Sequence, residues 1–266
     1  MQIETALKSY ALEIIACMAN SDSFVDIYNC LLDNYKMFST TGKVFADHKE
    51  RKQAEDKFKV ELKRRLELRD RINKVQTDAF GRENKIAEHY LSKGANLPIW
   101  AIFELLSLGE FGRFVSCLNL HCRKAISEKI GISQSDDTDA KMPQILIFTT
   151  RDLRNAIAHN DVTFDTRFRT GKIGKQLCSA ISNATGVPNV TFSTITDYLV
   201  LIVYQLMLLH LSEDSMPHLI TSFVESTERL RKKIPISIYN QIIHTDNNAK
   251  IKALRERVCD KEKYGG

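Results

Sequence analysis

The chain has 266 residues, 43% of them hydrophobic and 27% charged, which gives ample material for a sizeable core in one large domain or two small ones. Only 5 prolines and 11 glycines punctuate it, too few for a many-stranded sandwich and about right for long helices. The net charge of +5, with a pI near 8.8, permits a nucleic-acid partner without diagnosing one.

Residues 1 to about 38 read as two helices. The first carries Ala6, Leu7, Tyr10, Ile14, Ile15 and Met18 at spacings of three and four, and Asn20 and Ser21 break it. The second carries Phe24, Ile27, Tyr28, Leu31, Leu32 and Tyr35, and the stretch Ser39 to Val44 reads as a loop. From Asp47 to Lys93 the chain holds 14 Lys or Arg against 10 Asp or Glu, so net +4 of the total lies here. Phe58, Leu62, Leu66, Arg69 and Ile72 keep a thin stripe, which predicts one long exposed helix. Its charges suit either a solvated face laced with pairs such as Glu61 with Arg65 and Glu67 with Arg71, or an RNA-tracking face centred on Lys63, Arg64 and Arg65.

Asn96-Leu97-Pro98 opens the next helix, and Ile99 to Leu108 is apolar nearly all round, hence buried. Gly109 and Gly112 predict a bend, Phe114 to Ile130 resumes helical periodicity, and Gly131 to Lys141 is a polar loop. A further helix spans Met142 to His159. Asp161 to Pro188 reads as irregular, and an apolar helix covers about Ser193 to Leu211. The apolar run Tyr198 to Leu211 is 14 residues long, where a membrane span needs ~20, so a buried core helix is the better reading. Pro217 starts another helix, Pro235 to Ile242 a short one, and Asn247 to Tyr264 reads as a charged tail, helical at best and frayed. The class is all-α.

Six cysteines at 17, 30, 117, 122, 178 and 259 form no CxxC pair and no zinc-finger spacing, which suits reduced thiols in the cytoplasm. His121 beside Cys117 and Cys122 lacks a fourth ligand, so no metal site is expected. Ser107-Leu108-Gly109 is not a nucleophile elbow, and no phosphate-binding glycine loop is present, so no cofactor is implied. The N-terminus lacks a basic region followed by a continuous apolar core, so no secretory signal is read there.

The stretch LRNAIAHN, Leu153 to Asn160, carries the candidate chemistry. Asn155 and His159 are four apart on one helix face, whereas Arg154 lies about 140° away from His159 around a regular helix. Asn160-Asp161 is a strong stop, so His159 falls in the last turn and the long Arg154 side chain can swing toward it. Unpaired carbonyls at a helix C-terminus favour a cation, which suits His159 to donating a proton. The Arg154 fork suits phosphate oxygens, and Asn155 can orient the imidazole. Together they suffice for attack by a ribose 2′-hydroxyl with no metal. The bland alternative is a surface ion pair of Arg154 with Asp152 and a dipole-complementing His159. Directly after the motif, Arg167, Arg169, Lys172 and Lys175 form a basic run with no acid among them, which suits an RNA backbone.

Two blocks, LPIWAIFELLSLGEFGRFVSCL (Leu97 to Leu118) and LRNAIAHNDVTFDTRF (Leu153 to Phe168), closely resemble the bacterial abortive-infection (Abi) family of the AbiD/AbiF type, in the same order and spacing. The resemblance runs from about Ile86 to Phe168 and extends through the apolar helix ending near Leu211. It implies membership of the HEPN superfamily, helical bundles that are often metal-independent RNases. Their motif is Arg, a polar residue, three to five variable residues and His, which Arg154, Asn155 and His159 match. It further implies a single HEPN-like helical domain over residues 1–266, a homodimer with the motif helices facing across a twofold axis, and a phage-defence toxin restrained by a structured small RNA. A non-catalytic module that binds such an RNA is the competing implication.

Overall fold

In a computed structural model that describes residues 2–133, 137–164, 166, 168, 171, 173–211 and 214–264, every regular element is helical. Ser23 and Pro98 form one isolated bridge, and no strand is present among the described residues. The helices are α1 (Gln2–Ala19), α2 (Phe24–Cys30), α3 (His48–Gly81), α4 (Lys85–Leu91), α5 (Ile99–Leu105), α6 (Leu108–Cys117), α7 (Leu120–Lys129), α8 (Met142–Ala158), α9 (Lys175–Thr185), α10 (Ile195–Leu208), α11 (Ser215–Arg231), α12 (Ile236–Ile243) and α13 (Asn247–Tyr264). Contacts group them into two units, Glu4–Ile147 and Phe148–Gly266 with Met1–Ile3. No described helix is long and apolar enough to cross a membrane.

The first unit is built on α3. Asp47 caps it by accepting the Glu50 N–H at 2.6 Å, and Glu50 in turn accepts the Ala46 N–H at 2.8 Å. The long helix expected over Asp47 to Lys93 is interrupted: Glu83 adopts φ 58, and Asn84 caps a new helix by accepting from Ile86 and Ala87. The buried face also differs from the expected stripe. Leu68, Ile72 and Ala79 are buried, with Phe58, Glu61, Leu62 and Arg65 half-buried, whereas Leu66 and Arg69 face solvent. Neither expected ion pair forms. Glu61 takes Arg64, Glu67 takes Lys63, and Arg71 reaches Glu110 on α6, so one α3 cation links elements instead of bridging a helical turn.

The second helical stripe splits, because α2 stops at Cys30 and a 3₁₀ helix over Asn34–Phe38 follows. Phe103, Phe111 and Phe114 form the aromatic centre of this unit, with Phe103 at 5.4 Å from Phe111 and 5.0 Å from Phe114. Helix α5 is shorter and less enclosed than its sequence suggests, since Trp100 is 41% exposed. The break after it comes from a capping box and not from glycines. The Ser107 hydroxyl accepts from the Glu110 N–H at 3.3 Å, and Glu110 accepts the Ser107 N–H at 2.7 Å. Burial pushes the Glu110 carboxyl up, but the hydrogen bonds from Ser107 and Arg71 outweigh it and hold the group below its ordinary range. Asn119 interrupts the next stretch by capping α7 through the Cys122 N–H at 2.8 Å. Replacing Ser107 by Ala is expected to cost about 1 kcal/mol, read as a lower urea midpoint at unchanged slope.

In the second unit α10 is the central helix. Tyr198 to Met207 is buried except for the half-buried Ile202, which explains its membrane-like composition. Two expectations fail here. The segment Asp161 to Pro188 holds α9, whose Leu177, Ala180 and Ile181 are buried and whose end is set by Gly186 at φ 70. The C-terminal tail is helical, α13, but packed instead of frayed, with Lys250, Ile251, Leu254 and Val258 buried against its neighbours.

Candidate functional site

The candidate chemistry lies on the last two turns of α8. The start of that helix is fixed by Asp137, whose carboxylate accepts the N–H groups of Lys141 and Met142 at 2.8 and 3.0 Å and the Ser127 hydroxyl at 2.6 Å. Further along, Thr150 donates to Gln205 Oε1 of α10 at 3.0 Å, and Leu153 and Ala156 are buried. That anchoring turns Arg154, Ile157, Ala158 and His159 outward.

The helix ends as the sequence predicts. Asn160 takes φ 53, its N–H donates to Ile157 O at 3.3 Å, and the Asp161 N–H donates to Ala156 O at 2.9 Å. These two bonds close a Schellman motif and leave His159 as the last helical-side residue before the chain turns away. Asn160 tolerates the left-handed conformation because its short side chain carries little steric penalty there.

Arg154 and Asn155 are brought together: Nη1 of Arg154 donates to Oδ1 of Asn155 at 3.2 Å. The expected surface pair of Arg154 with Asp152 does not form. Asp152 takes Arg151, whose Nε donates at 2.9 Å and whose guanidinium lies 5.0 Å from the Phe148 ring. Arg154 therefore carries no carboxylate partner among the described residues, and its fork faces solvent. Asn155 contacts the arginine by its side chain and His159 only through its backbone carbonyl, which accepts the His159 N–H at 2.9 Å. An exposed guanidinium, braced by an amide, thus sits five residues before an exposed imidazole at a terminated helix.

Three large apolar side chains close to this pair in sequence are exposed. Ile157 is 60% exposed, Val162 61% and Phe164 40%. Sequence reasoning passed over all three, since an isoleucine four after a buried leucine reads as core.

The basic residues expected to hold RNA are placed unevenly. Lys63 and Arg64 are exposed on α3, each with a glutamate. Arg65 is turned inward: it donates to Tyr28 O at 2.9 Å and lies over the Tyr28 ring at 3.7 Å. Lys175 is exposed at the first turn of α9, while Arg167, Arg169 and Lys172 lie outside the described residues. Their neighbours Thr166 and Phe168 are anchored, Thr166 by donating to Ser193 O at 3.5 Å and Phe168 by its ring 4.9 Å from Tyr198. Competing thiol chemistry is disfavoured at Cys117 and Cys122, where burial pushes the thiols up to about 11 and about 12. Both are protonated at neutral pH, and neighbouring His121 is exposed.

A family model described as Abi-like protein matches residues 1–165. It takes in the N-terminal helices, beyond the two sequence blocks, and ends just past the motif. Neither a curated protein nor a solved structure matches the chain. With the match covering well over half of its length, the chain belongs to the Abi-like protein family, the abortive-infection proteins of phage defence.

Proposed function

We propose that the chain is a HEPN-type, metal-independent endoribonuclease. Arg154 holds the scissile phosphate, braced by Asn155, and His159 moves protons. The ribose 2′-oxygen attacks phosphorus, its proton passes to a base, the bond to the 5′-oxygen breaks, and an acid protonates that oxygen. The products are a 2′,3′-cyclic phosphate and a 5′-hydroxyl, and nothing else is consumed. The observation that carries this reading is an arginine without a carboxylate partner among the described residues and a histidine, both exposed at the end of one capped helix. The experiment is expression of the wild type and of His159→Ala in cells, followed by sequencing of RNA ends. New cyclic-phosphate ends should accumulate with the wild type only.

The reaction needs a base and an acid at the same time, and one motif supplies a single histidine. A second copy across a twofold axis supplies the other. The exposed Ile157, Val162 and Phe164 suit burial in such a contact. Sedimentation is expected to show a dimer at micromolar concentration, and Ile157→Glu should shift it toward monomer. A monomer at all concentrations, with and without RNA, would refute the composite site. We further propose that a structured small RNA restrains the activity, binding across the basic run from Arg167 to Lys175.

A further inference from the structure

One of the two blocks that carry the family resemblance contains residues that build no core. In α5, Ile99, Ala101, Ile102 and Phe103 are buried, whereas Trp100 is 41% exposed and Glu104, one turn further on the same face, is exposed as well. Trp100 is the chain's one tryptophan, and nothing in the catalytic reading uses it. Its position is well fixed. The preceding Ile99 N–H donates to Asp22 O at 2.7 Å, and Ser23 and Pro98 form a bridge. On its other side Tyr90 of α4 meets the indole edge to face, with centroids 6.2 Å apart at 72°, and His89 meets Tyr90 at 5.1 Å and 82°. The turn after α4 is held by the Tyr90 carbonyl, which accepts from the N–H groups of Lys93 and Ala95 at 3.2 and 3.1 Å. Glu104 forms no ion pair among the described residues.

We infer that Trp100 and Glu104 form a subsite for an unpaired guanine of single-stranded RNA, with Tyr90 bracing the indole edge to face and His89 bracing Tyr90 in the same way. The inference rests on the proposed action on RNA and names a base preference for it. A fixed, half-open indole is a stacking surface for any base. The carboxylate supplies the selection. Guanine's pairing edge presents two adjacent donors, N1–H and the N2 amine, which match two carboxylate oxygens in charge-assisted hydrogen bonds. Adenine and cytosine place an acceptor beside their amine, and uracil flanks its one donor with carbonyls, so each sets a lone pair against Glu104. Charge near the platform is almost balanced, with exposed Lys85 and Lys93 against exposed Glu88. Base contacts, and not phosphates, therefore dominate, and binding here should depend on salt only weakly.

The sole tryptophan makes the test direct. Fluorescence of the full chain is titrated with 2′-O-methylated pentamers, which cannot be cleaved: UUGUU, UUAUU and the inosine version lacking the N2 amine. UUGUU is expected to quench saturably and bind about tenfold or more tighter than UUAUU, with inosine losing much of that advantage. Glu104→Gln, whose side chain is exposed and whose fold is checked by circular dichroism, should keep the quench and lose the guanine preference. Equal affinity for UUGUU and UUAUU, or a preference unchanged in Glu104→Gln, overturns the subsite. Neither result depends on cleavage, so the His159 experiment can fail while this one succeeds, and the reverse.

Discussion

Arg154→Ala and His159→Ala are each expected to lower RNA cleavage by about 10²-fold to 10⁴-fold, the range that a positioned acid or base contributes. The double variant should fall little further. In the proposed mechanism the two groups act in one step, the arginine holding the phosphate where the histidine can reach the oxygen, so removing either would remove the geometry that gives the other its effect. Arg154→Lys should recover only part of the loss, because an ammonium keeps the charge but not the fork that can grip two oxygens while donating to Asn155. All four variants should unfold at the wild-type urea concentration, since both side chains are exposed and neither fills the core. Cleavage measured in EDTA should match cleavage in magnesium. Full activity in His159→Ala, or activity that appears only with a divalent ion, would refute the mechanism.

What was legible in the sequence follows the range of the forces involved. The stop at Asn160 could be read because a left-handed residue and its two capping bonds are local, lying within six positions from Ala156 to Asp161. The capping box at Ser107 and Glu110 was equally local, and its S-x-x-E spacing was present, but Gly109 and Gly112 drew the bend to themselves. Helix α9 was hidden by its frame, because Gly174 and Gly186 at its two ends suggested a loop although Leu177, Ala180 and Ile181 carry helical spacing. The register of α3 was misread for another reason. Arg65 looks like a solvent cation, yet Tyr28, 37 positions upstream, accepts it and offers its ring, and the buried face turns accordingly. The exposure of Ile157 and Trp100 had no sequence signal at all, since it depends on which neighbours leave them uncovered.

The C-terminal helix gives the second large expected effect. Lys250→Met should destabilise the Phe148–Gly266 unit by about 3–5 kcal/mol, the cost of leaving a buried charge without its partner. Lys250 Nζ lies 2.7 Å from Asp197 Oδ1, with the two side chains 3% and 0% exposed. It also reaches Asp246 at 3.1 Å, but that side chain is 43% exposed and can do without it. Asp197 cannot. Its other oxygen already accepts the N–H groups of Phe192 and Thr191 at 2.9 and 3.2 Å, so it must stay in place whether or not the lysine is there. Asp197→Ala should also be severe, leaving both N–H groups unsatisfied and the ammonium with Asp246 alone, whereas Asp197→Asn keeps an acceptor and should cost less. Asn247 accepts from Thr196 at 2.7 Å and Arg257 donates to Ala184 O at 2.9 Å, so α13 is held at three places and should show amide protection close to that of α10. Fast exchange along α13 in the wild type would restore the frayed tail that its composition suggests. The loss in Lys250→Met should also reach the residues beside the basic run: Asp197 orders Thr191 and Phe192, next to Ser193, which accepts from Thr166, and it precedes Tyr198, whose ring Phe168 meets at a tilt. Weaker RNA binding in Lys250→Met, at a temperature where the chain remains folded, would trace that link, and unchanged binding would break it.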